Sequence, residues 1–76
     1  MEKTFVKVTA VLDAGGQIRP AMLTWSDGNE ADIDEVIDVC SNVLSREGRE
    51  CMRYTCEICG KLEYLFCEAG RWFVER

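Results

Sequence analysis

The stretch from Cys51 to Arg76 restricts the fold more than any other part of the chain, because apolar and polar side chains alternate along it with breaks only at glycines. Met52, Tyr54, Cys56 and Ile58 alternate with Arg53, Thr55 and Glu57, and Cys59-Gly60-Lys61 then turns the chain. Leu62, Tyr64 and Phe66 alternate with Glu63, Leu65 and Cys67 before Glu68-Ala69-Gly70-Arg71 turns it again into Trp72-Phe73-Val74-Glu75. Period two between Gly-containing breaks predicts three short antiparallel strands joined by tight turns. Aromatic residues on neighbouring strands pair across such a sheet, which assigns Tyr54, Phe66 and Trp72 to the core.

The first half repeats the pattern less cleanly. From Lys3 to Asp13, the residues Val6, Val8, Ala10 and Leu12 share one face of a strand, and Ala14-Gly15-Gly16-Gln17 forms a hairpin turn into a second strand, Ile18 to Trp25. Pro20 cannot donate a ladder hydrogen bond, which places it at an edge, a strand start or a bulge. Ser26-Asp27-Gly28-Asn29 is the next turn. The following segment supports two readings. Ile33, Val36, Ile37, Cys40, Val43 and Leu44 form the stripe of an amphipathic helix near 31–45, whereas the opening alternation and the β-branched residues suit a strand. Ser45 to Glu50 reads as a polar loop.

Seventy-six residues make one domain, 1–76, close to the lower size at which a core can hold a fold without a staple. The 47% apolar fraction suits a globular chain with a small core and leaves little room for a deep enzyme cleft. No apolar run approaches the roughly 18 residues of a membrane span, and the start lacks the pattern of a secretory signal, so a cytoplasmic address is expected. Five cysteines, an odd number, then read as reduced thiols packed as small hydrophobes. A net charge of −5 opposes general binding to nucleic acid, which relies on Lys and Arg displacing counterions. Histidine is absent, which removes the commonest general base and the commonest neutral metal ligand.

W-S-D-G at 25–28, I-D-E-V-I-D-V at 33–39, R-Y-T-C-E-I at 53–58, G-K-L-E-Y at 60–64 and R-W-F-V-E at 71–75 together resemble a family of short uncharacterised, strand-rich proteins of clostridial-type bacteria. The resemblance covers nearly the whole chain through its W-x-D-G, R-Y-T-C and W-F-V-E motifs. It implies a strand-rich fold and no catalytic residue. It also implies a bending strand for Ala31 to Cys40, with one helical turn between Ser41 and Arg46. Only Cys56 lies inside the family pattern, whereas Cys40, Cys51, Cys59 and Cys67 depart from it.

Three constellations could carry chemistry. Cys56-Glu57-Ile58-Cys59-Gly60-Lys61 resembles a zinc knuckle, and Cys51 and Cys67 could complete four ligands, although each stands alone. The competing reading makes Cys56 a buried strand residue and Cys59 a turn residue, and no helix N-terminus is at hand to lower a thiol pKa for redox work. The acidic run Asp27, Glu30, Asp32, Asp34, Glu35 and Asp38 has Asp32 where a calcium loop needs Gly, so it reads mostly as a solvated face, the lesser alternative being one that meets a basic partner or a loosely held divalent ion. Arg53, Tyr54, Tyr64, Phe66, Arg71 and Trp72 suggest a binding surface, since Arg and aromatic side chains dominate interface hot spots; Tyr54, Phe66 and Trp72 alternate as core positions do, and Arg53 and Arg71 are the better surface candidates.

The combined expectation is a mainly β fold, an antiparallel meander of five or six strands curled into a small SH3-like or OB-like open barrel. The α+β alternative puts an amphipathic helix near 31–45. The expected role is a non-enzymatic protein-binding module without a cofactor, as a monomer or a homodimer through exposed strand edges. A zinc-stabilised domain on Cys51, Cys56, Cys59 and Cys67, with nucleic acid as a further partner, is the alternative.

Overall fold

A computed structural model describes residues 2–75. Six strands follow one another along the chain: β1 (Lys3–Leu12), β2 (Ile18–Thr24), β3 (Glu30–Leu44), β4 (Glu50–Ile58), β5 (Lys61–Glu68) and β6 (Arg71–Glu75). Each pairs antiparallel with the next, and β1 pairs with β6, from Lys3 opposite Glu75 to Val6 opposite Trp72. The expected curled meander is present, with six strands and its ring sealed.

The turns explain how so short a chain reverses five times. Asp13 to Gln17, Trp25 to Asn29 and Ser45 to Arg49 share one plan: the first residue's N–H donates to the last residue's carbonyl at 2.8–2.9 Å, and the glycine N–H donates back to the first residue's carbonyl. The side chain of the first or third residue finishes each turn. Asp13 accepts from Gly15 and Gln17, Asp27 from Asn29, and Ser45 Oγ from Arg49. Ser45 to Arg49 is thus a tight turn of the same kind, with Ser45 buried, where the sequence reads as a polar loop. The two-residue turns Cys59-Gly60 and Ala69-Gly70 have φ of 52° and 77°, and 50° and 81°, the mirror-image turn whose twist matches the flanking strands.

The long strands β1 and β3 are the corners of the barrel. Lys3 to Val6 of β1 pair with β6, and Lys7 to Leu12 pair with β2. Glu30 to Asp32 of β3 pair with β2, and Ile33 to Leu44 pair with β4. Pro20 sits at a bulge: Thr9 faces Met22 and Ala10 faces Pro20, leaving Ala21 as the extra residue.

The helix considered near 31–45 does not form, and neither does the helical turn expected between Ser41 and Arg46. Both are replaced by a bulged strand that runs to Leu44. Its register against β4 slips by one residue at three places, between Ile33 and Glu35, between Val36 and Asp38, and between Cys40 and Val43, where Asn42 has φ of 60°. A bulge sets two residues against one, so inward positions recur every third residue rather than every second. Ile33, Val36 and Val39 face Ile58, Cys56 and Tyr54 at that spacing. Three bulges therefore give a strand a helix-like period, and they supply the added twist and bend that let it pass from one side of the barrel to the other.

Inside the ring lie Val6, Leu23, Ile33, Tyr54, Cys56, Ile58, Leu65 and Val74, with Val8, Trp25, Ala31, Val36, Met52, Cys67 and Trp72 packed against them. The Tyr54 and Trp72 rings meet at 5.2 Å between centroids. Residues Leu65 and Val74 are inside, so their neighbours Phe66 and Phe73 must point the other way. They form a separate buried cluster with Cys51 and Val43. Phe66 is thus buried as expected but outside the barrel, and Leu62 and Tyr64 share its outward face.

Candidate interaction face

The outer face of β1, β6, β5 and β4 carries a row of side chains set by register. Phe5 of β1 is opposite Phe73 of β6, Phe73 is opposite Phe66 of β5, and Phe66 is opposite Arg53 of β4. Phe5 meets Phe73 edge-on at 5.7 Å, Phe66 stacks on Phe73 at 5.2 Å with 10° between planes, and Tyr64 meets Phe66 edge-on at 6.4 Å. These geometries are the ones ring quadrupoles favour. A cation lies over each of three rings: Lys3 Nζ 4.5 Å from Phe73, Arg71 Cζ 4.1 Å from Phe5, and Arg53 Cζ 4.7 Å from Tyr64. The two arginines picked out in the sequence therefore belong to one strip. Tyr64, the ring under Arg53, belongs to the binding surface read from the sequence, whereas Phe5, the ring under Arg71, gives no signal there, because neighbours across strands lie far apart along the chain.

The strip differs between its centre and its ends. At the centre, Phe73 is only 1% exposed although it lies outside the barrel. The tip of the β3–β4 hairpin reaches over it, with Val43 and Cys51 against the rings. Glu47 and Glu68 fix Lys3 from two sides, at 2.7 Å and 3.2 Å, and Arg49 reaches Glu68 at 3.5 Å. The bond to Glu47 is the main reason that the Lys3 pKa is raised and the Glu47 carboxyl is lowered. At the ends, Phe5 is 44%, Tyr64 53% and Leu62 66% exposed. A shallow cleft of about 220 Å³ lies beside Thr55, Leu62 and Tyr64, and a second of similar size runs from Leu62 and Phe66 to Glu75. Two enclosed polar atoms on this face, Arg53 Nε and Glu75 Oε2, make no hydrogen bond to another of the described residues.

The four cysteines weighed as zinc ligands are not brought together. Cys56 is fully buried inside the barrel, Cys67 is half-buried against the same core, Cys51 is in the outer cluster and Cys59 is at an exposed turn. Neighbouring positions on one strand point to opposite faces, so the outward Cys51 and the inward Cys56 cannot share one ion. Among the described residues no group of three or more Cys, Asp or Glu side chains is arranged to hold a metal. Burial raises the thiol pKa of Cys51, Cys56 and Cys67, that of Cys56 to about 11, which holds these sulfurs in the protonated form that packs as a hydrophobe.

Within the acidic run, Asp27 caps the second turn, and Glu30, Asp32, Asp34, Glu35 and Asp38 are exposed along β3. The motifs that carry the family resemblance have structural places. Trp25 to Gly28 form a hairpin turn, Arg53 to Cys56 cross from the outer strip to the core, and Trp72 to Glu75 seal the ring. Comparison with known proteins returns no matching family model, curated protein or solved structure.

Proposed function

We propose that this chain is a small non-enzymatic interaction module that engages another protein through the outer strip, with Arg53 and Arg71 as its polar contacts. The observation that carries this reading is the pairing of exposed rings with guanidinium groups: Arg71 over Phe5 and Arg53 over Tyr64, with Leu62 open beside them. A guanidinium held over a ring has lost much of its rotamer freedom before binding, and its outer N–H groups remain able to meet a partner's carboxylate or carbonyl. Large rigid rings add contact area at small entropic cost. The buried, protonated thiols and the lack of histidine support a binding role over catalysis. Five free thiols suit a reducing compartment, which supports a cytoplasmic address as part of the same proposal. The net charge of −5 favours a protein partner over nucleic acid.

The test is comparative capture from the native cell with wild type and a double variant, Arg53→Glu with Arg71→Glu, as bait. Removing two anchors of this kind should lower recovery of a specific partner about tenfold or more, while the variant's melting transition confirms that the barrel is intact. Equal recovery by both baits would overturn the assignment of the strip.

A further inference from the structure

The barrel wall opens between β2 and β3. These strands pair only from Met22, Leu23 and Thr24 to Asp32, Ala31 and Glu30, after which β3 turns to β4 and β2 follows β1. The edge of β3 from Asp34 to Leu44 that faces away from β4, and the first residues of β2, bound a slot. A cleft of about 600 Å³ occupies it, lined by Gln17, Ile18, Val39, Ser41, Met52 and Tyr54. Val39 is at an inward position opposite Tyr54 yet is 46% exposed, and Ile18 across the slot is 57% exposed, because no strand covers them.

We infer that this slot takes up a short extended segment of a cationic peptide, which adds as a strand to the open edge of β3. Strand addition uses main-chain hydrogen bonds for affinity and alternate side chains for choice of partner. The bulges at Ile37 and at Ser41–Asn42 interrupt the ladder on either side of Asp38–Cys40, so the docking segment is short. Its inward side chain is apolar and fits between Ile18 and Val39, above Met52 and Tyr54. Its outward side chains are Lys or Arg, because Asp34, Glu35 and Asp38 are exposed on the receiving strand and make no ion pair with a described residue. The same charges disfavour a second copy of this chain, whose β3 would bring like charges face to face. Pro20 lacks an N–H and weakens β2 as the receiving edge. This slot shares no residue with the outer strip, so either assignment can fail without the other.

The probe is a short capped peptide alternating lysine with valine, titrated into uniformly labelled protein and followed by amide shifts and hydrogen exchange. The expected result is shift changes at Gln17 to Ala21 and Ile37 to Ser41, with new exchange protection on the β3 edge. Alternating glutamate with valine should weaken binding about tenfold or more, as should Asp34→Asn with Asp38→Asn in the protein. Methylating the peptide's backbone nitrogens should abolish the protection, which separates strand addition from mere charge attraction. Three outcomes would overturn the inference: shifts confined to other strands, equal binding of the methylated or acidic peptide, or no shifts at millimolar peptide. A concentration-dependent dimer that Val39→Lys dissociates would also overturn it, by giving the edge to a second copy. Val39 is half exposed, so this variant is expected to keep the wild-type fold, which the dispersion of its amide spectrum checks.

Discussion

The barrel interior and the outer aromatic cluster are two cores on opposite faces of the same strands, and they are closed by different means. The interior holds aliphatic side chains, thiols and the Tyr54–Trp72 pair, and the curl of the sheet itself covers them except at the slot beside Met52 and Tyr54. The outer cluster stacks Phe66 on Phe73 and is closed by a hairpin tip and by Lys3, which two ion pairs hold over the Phe73 ring. A strand with apolar residues on both faces needs two covers, and in a chain of this size the second must come from an unusually long hairpin. The longest strand, β3, supplies it.

The largest test of that comparison is truncation on each side. Leu65→Ala inside the barrel is expected to cost about 2–5 kcal/mol in denaturant unfolding, and Phe73→Ala outside it about 3–5 kcal/mol. Phe73→Leu, a milder change, keeps the measurement possible if the alanine variant does not fold. A loss below about 0.5 kcal/mol for Phe73→Ala would show that the outer cluster is ordinary surface.

Thiol access tests the closure of the interior against open surface. With a pKa near 11 and a fully buried sulfur, Cys56 should react with a thiol reagent at least about a hundredfold more slowly than the exposed turn residue Cys59, until denaturant opens the barrel. Comparable rates in the native state would mean that the interior is not closed.

The smallest expected effect concerns the clasp between Lys3 and Glu47. The Glu47 carboxyl is lowered from its ordinary 4.5, so its contribution is complete above that value and disappears as pH falls through the lower folded value. Lys3 is raised above 10.5, so its contribution is complete below that value and is lost only as pH rises through the higher folded one. The melting temperature of Glu47→Gln should therefore lie slightly below wild type at neutral pH, and the gap should close in acid. A gap that persists in acid would assign the effect to something other than this pair.

How much of this was legible in the chain depended on the strand. In β4 the alternation from Met52 to Ile58 identifies both strand and face, whereas in β6 the Gly turn identifies the strand but the apolar run Trp72-Phe73-Val74 leaves its face open. In β5 the strand is legible but its face is not, since Leu62, Tyr64 and Phe66 compete with Leu65 and Cys67 and both sets are apolar. The three slips in β3 produce the spacing of a helix, and only partner residues on β4 reveal them. For the site, Arg53 and Arg71 were legible as surface cations. Tyr64 was legible beside Arg53, but Phe5 beneath Arg71 and the slot beside Val39 were not, because both arise where strands meet or part.

The seam between β1 and β6 has a consequence for biosynthesis. Of the six strands, the one that completes the cylinder is synthesised after the other five, and it carries Phe73, the ring that belongs between Phe5 and Phe66. Until it arrives, the nascent chain is an unsealed ribbon with aromatic groups bare on one side. Slow translation through β6, or its removal, should therefore leave an aggregation-prone product rather than a slightly weaker one.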